Sequence, residues 1–113
     1  MNDGDMMCVV PWVANPFRGD KFEALWLPVA AAALRYGASE WTFYRSLDDP
    51  LSFHQTALFP TKLDWERYWY SEEVSEARAA GSGMYQVPLL PLFWKVAGTG
   101  QLAVESAASS AGI

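Results

Sequence analysis

Residues 51–83, LSFHQTALFPTKLDWERYWYSEEVSEARAAGSG, constrain the fold more than any other stretch, because a period-two alternation runs directly into helical periodicity. Leu51, Phe53, Gln55, Ala57 and Phe59 alternate with Ser52, His54, Thr56 and Leu58, which gives one strand with two different faces. Pro60 ends the strand, and Asp64 is expected to cap a helix that starts at Trp65. On a helical wheel Trp65, Tyr68 and Trp69 share one side, whereas Tyr70, Val74 and Ala77 share nearly the opposite side. The stripe changes phase near Ser71, and Ser71-Glu72-Glu73 reads as a fresh N-terminus: a cap, then negative charge in the first turn. Two short helices or one bent one are expected, ending at Gly81 and Gly83.

The rest of the chain arranges itself around this unit. Residues 41–46 alternate again, and Asp48-Asp49-Pro50 is a turn in which carboxylates bond local backbone N–H groups, so residues 41–59 predict an antiparallel hairpin. Upstream, MMCVVPWV (Met6–Val13) reads as a buried strand interrupted by Pro11 and closed by Asn15-Pro16. Asp20 with Glu23 resembles a helix start, and Phe22, Leu25, Trp26, Val29, Ala33 and Tyr36 then share a face. Pro28 is expected to kink that helix or to start a second segment, and Gly37 to stop it. Residues 85–97, YQVPLLPLFWKVA, predict a last strand, placed at a sheet edge by its prolines. The order strand, helix, strand, strand, helix, strand is the split βαβ plan: an α+β, ferredoxin-like βαββαβ antiparallel sheet with helices on one face. The domain is expected over residues 6–97, with flexible termini at 1–5 and 98–113, where there is little to bury.

Composition bounds the function. A formal charge of −5, with no basic run among eight Lys and Arg, argues against nucleic acid as a partner. The single cysteine, Cys8, reads as a small buried hydrophobe on a strand, and one histidine leaves no zinc spacing, so no metal is expected. The apolar run at 25–34 contains Pro28 and is short of the roughly 17–25 residues a bilayer needs, so no membrane partner is expected either. Asp3 and Asp5 stand where a signal peptide would be basic, which points to a cytoplasmic protein. Six Trp, six Phe and five Tyr are many to hide in one core of 113 residues. With helices on one face, the other sheet face still carries apolar side chains, so a second subunit, an apolar or aromatic ligand, or both should cover it.

The Gly37-Ala38 step, the RSLDDPLSF hairpin and the LFPTKLDWERYWYSEE segment together resemble the dimeric α/β-barrel family of small antibiotic-biosynthesis monooxygenases and haem-degrading monooxygenases, over about residues 7–96. The resemblance implies a homodimer in which two sheets pack face to face into a barrel. In the haem-degrading branch an asparagine near the end of the first strand, a tryptophan and a histidine build the site. Asn15 is a rough match for the first, Tyr68 stands where the tryptophan would be, and Arg78 where the histidine would be. Arginine cannot supply the neutral nitrogen that iron needs, which disfavours haem chemistry by that route. The remaining implication is a cofactor-independent, monooxygenase-like enzyme acting on a small aromatic or quinol-type substrate; a non-catalytic ligand-binding or assembly subunit is the alternative.

Within that frame His54 is the candidate base, since histidine titrates near neutrality, against the reading of a hydrogen-bonded structural histidine. Tyr44 is the candidate orienting donor, against simple packing with a wet hydroxyl. Asn15, Trp65, Tyr68 and Trp69 are the candidate substrate-binding residues, although the aromatic spacing is also that of a helix packed on a sheet. Tyr44 and Arg45 lie on opposite faces, so at most one shares a pocket with His54, and Arg45 is expected to pair with Asp48, Asp49 or a carboxylate across the dimer. Trp94 and Lys95 are expected at the dimer contact, and Glu72, Glu73 and Glu76 on a solvated face.

Overall fold

A computed structural model describes residues 5–102. Four strands, β1 (Met6–Val13), β2 (Glu40–Arg45), β3 (Ser52–Phe59) and β4 (Leu92–Lys95), form one sheet in the order β2-β3-β1-β4, with every neighbouring pair antiparallel. Three helices, α1 (Gly19–Ala31), α2 (Lys62–Trp69) and α3 (Glu72–Ala80), contribute to a core with one face of that sheet. This is the α+β, ferredoxin-like βαββαβ arrangement that the element order predicts, with the second helix in two pieces. The expectations of flexibility for residues 1–4 and 103–113 lie outside the described residues.

Alternation decides which side chains meet the helices. Cys8, Val10 and Trp12 of β1 and Phe53, Gln55, Ala57 and Phe59 of β3 are buried on the helix side, joined by Phe22, Trp26 and Ala30 of α1, Trp65, Tyr68 and Trp69 of α2, and Val74 of α3. The rings interlock: Trp12 lies 4.5 Å from Trp26 and 5.0 Å from Tyr85, and Trp65 stacks on Trp69 at 5.0 Å. Cys8 is buried in the same layer, and burial pushes its thiol up to about 12.

The break at Ser71 is present. α2 ends at Trp69, and the Ser71 hydroxyl accepts from the Val74 N–H at 3.3 Å to start α3. Because the axis restarts there, Val74 turns into the core, whereas Tyr70 stays 70% exposed instead of joining it.

Several local expectations are corrected. Thr61, not Asp64, caps α2: its hydroxyl accepts from the Asp64 N–H and donates to the Asp64 carboxylate, a reciprocal arrangement that places Asp64 in the first turn. Arg18, not Asp20, occupies the cap position of α1, without a side-chain bond. α1 runs through Pro28 to Ala31 and only then tightens into a 3-10 turn, Ala32–Tyr36, that closes at Gly37 with φ 102°. The last strand is shorter than the sequence predicts: Tyr85 makes one isolated bridge to Ala14, the chain bulges away through its prolines, and pairing with β1 resumes only at Leu92. Arg45 pairs with Asp20 and Glu23 of α1 rather than with Asp48 or Asp49, and donates through Nε to the Pro50 carbonyl. Those bonds tie the hairpin to α1, and Gly19 permits the close approach, since a Cβ there would meet the Arg45 guanidinium at 2.5 Å.

Candidate functional site

The sheet face away from the helices carries the side chains that could act on a ligand. Register places Tyr44 of β2, His54 of β3 and Pro11 of β1 in one row across it. The next row is Thr42, Thr56, Val9 and Leu92, and the one beyond is Glu40, Leu58, Met7 and Trp94. Directly opposed residues of antiparallel strands hold their Cβ atoms about 4.5–5.5 Å apart, so the imidazole and the phenol start as neighbours. Both are exposed, and a cleft of about 260 Å³ is lined by Tyr44, Arg45, Ser46, Ser52, Phe53 and His54. Among the described residues neither ring makes a side-chain hydrogen bond, so both retain their donor and acceptor capacity. Around them Met7, Val9, Pro11, Val13, Leu92 and Trp94 supply apolar surface.

The face opposite Tyr44 belongs to Arg45, whose guanidinium lies 5.0 Å from the Phe53 ring and is held by its two carboxylate partners. Of the two residues, Tyr44 is therefore the one beside His54.

The other candidate residues are elsewhere. Trp65, Tyr68 and Trp69 are in the core, on the far side of the sheet from His54. Asn15 sits in the loop after β1, where its Nδ2 donates to the Gly83 carbonyl at 2.7 Å and clips two loops together. The structure thus brings Tyr44 and His54 together and leaves Asn15 and the three aromatics apart from them.

Gln55 is the residue that sequence reasoning passed over. Its Oε1 accepts from both the Trp12 and Trp26 indole N–H groups, at 3.1 and 2.9 Å, and its Nε2 donates to the Tyr68 hydroxyl at 2.8 Å. That hydroxyl donates in turn to the Val29 carbonyl at 2.8 Å. Burial drives the Tyr68 phenol well above its ordinary range, so it stays a neutral donor. A polar residue on the otherwise apolar Phe53, Ala57, Phe59 face was the available signal. The network rigidifies the middle of the core with tryptophan N–H groups that would otherwise be unsatisfied.

Arg78, which stands where a haem ligand would be, has its guanidinium 4.7 Å from the Trp69 ring and donates to the Trp69 carbonyl at 3.1 Å. It braces the end of α2, a structural use that suits a cation at a helix C-terminus.

No family model matches the sequence, and no curated protein does. Solved structures do resemble it. A candidate antibiotic biosynthesis monooxygenase from Nitrosomonas europaea superposes with a TM-score of 0.76 at 15% identity, covering 88% of this chain and 98% of that one. A cofactor-independent oxygenase from Streptomyces nogalater gives 0.72 at 15% identity, covering 85% and 96%. A candidate antibiotic biosynthesis monooxygenase from Caulobacter crescentus gives 0.73 at 15%, covering 85% and 92%. The chain therefore has the ferredoxin-like fold of antibiotic-biosynthesis-monooxygenase-like proteins, as the sequence resemblance implies, and at these identities the likeness is one of fold.

Proposed function

We propose that this chain works as a face-to-face homodimer and as a cofactor-independent, monooxygenase-like enzyme on a small electron-rich aromatic or quinol-type substrate. The observation that carries the reading is the Tyr44–His54 pair, side by side on a sheet face that is apolar toward β1 and β4. His54 takes the proton of an acidic substrate C–H or O–H, and Tyr44 donates to a substrate oxygen and fixes its orientation. The resulting carbanion gives one electron to O₂, the radical pair recombines as a hydroperoxide, and loss of water leaves a carbonyl. One oxygen atom stays in the product, and the other departs as water with the two hydrogens of the original CH₂. Covering the face with a second subunit excludes bulk water from that step. The core aromatics Trp65, Tyr68 and Trp69 then support the sheet from behind. A reducing cytoplasm suits the lone, buried Cys8 thiol.

A second reading has its own observation. The space between sheet and helices is filled by interlocked rings and the Gln55 network, which suits a non-catalytic barrel serving as an assembly subunit or apolar-ligand carrier.

Oxygen uptake with a panel of polyphenols, anthrones and quinols separates the two. The enzyme reading expects uptake that falls at least tenfold in His54→Ala and several-fold in Tyr44→Phe. Absence of uptake by the unmutated protein across the panel leaves the non-catalytic reading.

A further inference from the structure

Tryptophan and tyrosine hold core positions here that phenylalanine or leucine would fill without a polar atom to satisfy. Trp12, Trp26 and Tyr68 are fully buried, and Gln55 and the Val29 carbonyl are spent on their N–H and O–H groups. Close packing alone does not call for those polar handles. Indole and phenol share a property that phenylalanine and leucine lack: each gives up one electron to oxygen-derived radicals and takes it back. The rings also form an unbroken path. Trp26 lies 4.5 Å from Trp12, Trp12 6.0 Å from Trp69, Trp69 5.0 Å from Trp65, Trp65 5.7 Å from Tyr68, and Tyr68 5.8 Å from Tyr36, between ring centroids. Electron exchange weakens steeply with distance, and rings in contact give it the shortest steps a protein interior offers. One end of the path lies under the sheet, since Trp12 follows Pro11, which shares a row with Tyr44 and His54 on the opposite face. The other end comes to the surface at the half-buried Tyr36.

Hydrogen bonds decide where an oxidation on that path comes to rest. An oxidised phenol or indole is a strong acid, so the oxidation settles where the proton has a base to go to. The Trp12 and Trp26 N–H groups face the Gln55 amide oxygen, the Tyr68 hydroxyl faces the Val29 carbonyl, and the Tyr85 hydroxyl faces the Arg78 carbonyl; none of these acceptors keeps a proton. Trp69 has the Arg78 guanidinium 4.7 Å from its ring, and a cation there repels a second positive charge. Among the described residues Tyr36 is the one phenol that donates to a carboxylate, Glu73 Oε1 at 2.8 Å.

We infer that the aromatic core is a one-electron relay that carries oxidising equivalents from the interior to Tyr36, with Glu73 as the proton acceptor. A radical of the peroxyl class takes an electron from an indole of the path and, with a proton from water, becomes a hydroperoxide. An electron from Tyr36 refills the indole, the Tyr36 O–H proton passes to Glu73, and a neutral tyrosyl radical remains at the surface. A soluble thiol then returns a hydrogen atom to the phenoxyl oxygen and leaves as a thiyl radical, and Glu73 releases its proton to water. The tryptophans are restored, and the net exchange is one electron from the thiol to the peroxyl radical. The relay needs no step of the oxygenase reading, although the caged radical pair of that reaction would be a source of such an oxidant.

Flash photo-oxidation of the indoles in the intact protein, read by transient absorption and freeze-quench electron paramagnetic resonance, tests it. The unmutated protein is expected to show tryptophan-radical absorption giving way to a tyrosyl signal. Tyr36→Phe keeps the ring and removes the hydroxyl, and it is expected to lower the tyrosyl yield several-fold and prolong the tryptophan radical. Glu73→Gln keeps a hydrogen-bond partner but removes the base, and it is expected to slow tyrosyl formation several-fold. Tyr70→Phe, at an exposed phenol outside the path, is expected to change neither. Peptide mapping after photo-oxidation with a nitroso spin trap locates the radical in the unmutated protein without any variant, and the principal phenol adduct is expected at Tyr36. Tryptophan radicals that decay with no tyrosyl signal, a tyrosyl yield that Tyr36→Phe leaves unchanged, or a principal phenol adduct at Tyr44 or Tyr70 overturn the relay. An unchanged rate in Glu73→Gln overturns the role given to its carboxylate.

Discussion

At the scale of single residues, hydrogen bonds in the core give the firmest predictions. Replacing Gln55 by Leu removes one acceptor from two indole N–H groups and one donor from Tyr68 at once. Unsatisfied buried groups cost about 1–3 kcal/mol each, so Gln55→Leu should lower unfolding free energy by ~3 kcal/mol or more in a urea titration. Glu73 offers a pH test. The Tyr36 hydroxyl first, and then Arg35, hold its carboxyl below the ordinary carboxylate range. Its contribution is therefore fully present above the unfolded-state pKa and is lost as pH falls through the lower folded value. Glu73→Gln should flatten the acid limb of the stability profile modestly, since the pair is partly exposed and screened. His54 and Gln55 show what single residues reveal in the sequence. Alternation alone puts them on opposite faces, but the partners of Gln55 come from residues 13 to 43 positions away, at Tyr68, Trp26 and Trp12, and no local pattern announces them.

At the scale of elements, period and the cap at Ser71 were the legible part. The phase change at Ser71 is written in the spacing of Trp65, Tyr68, Val74 and Ala77, and the two-helix result follows from it. Ser71→Ala should cost about 1 kcal/mol, the usual worth of such a cap, measurable as a shifted urea midpoint with an unchanged slope. Less legible were choices among equivalent local partners. Thr61 and Asp64 can each cap the same helix, and the reciprocal bond between them decides for Thr61. Arg45 lies near Asp48 and Asp49 in sequence, yet α1 folds back to offer Asp20 and Glu23 in better positions. The extent of β4 was obscured for a related reason: residues 85–97 have strand composition throughout, but Pro88 and Pro91 remove the N–H groups that a continuous ladder requires.

At the scale of the whole molecule, one face of the sheet is packed by the helices and the other bears Val13, Tyr44, Leu92 and Trp94 in the open. Among the described residues no helix is long and apolar enough to cross a membrane. The fold was legible because element order, turn chemistry and alternation agree on one topology. The candidate site was legible only in half: register joins Tyr44 to His54, whereas the aromatic helix that looks like a pocket wall in the sequence is drawn into the core, where Trp65, Tyr68 and Trp69 are buried among other aromatic rings. The account therefore stands on which side of the sheet receives the ligand. Two-dimensional NMR with side-chain-labelled His and Trp, during titration with a quinol under anaerobic conditions, measures that directly. The account predicts shifts of the His54 ring resonances with the Trp12 and Trp26 indole N–H signals unmoved; shifts of those indole signals with His54 unmoved would contradict it.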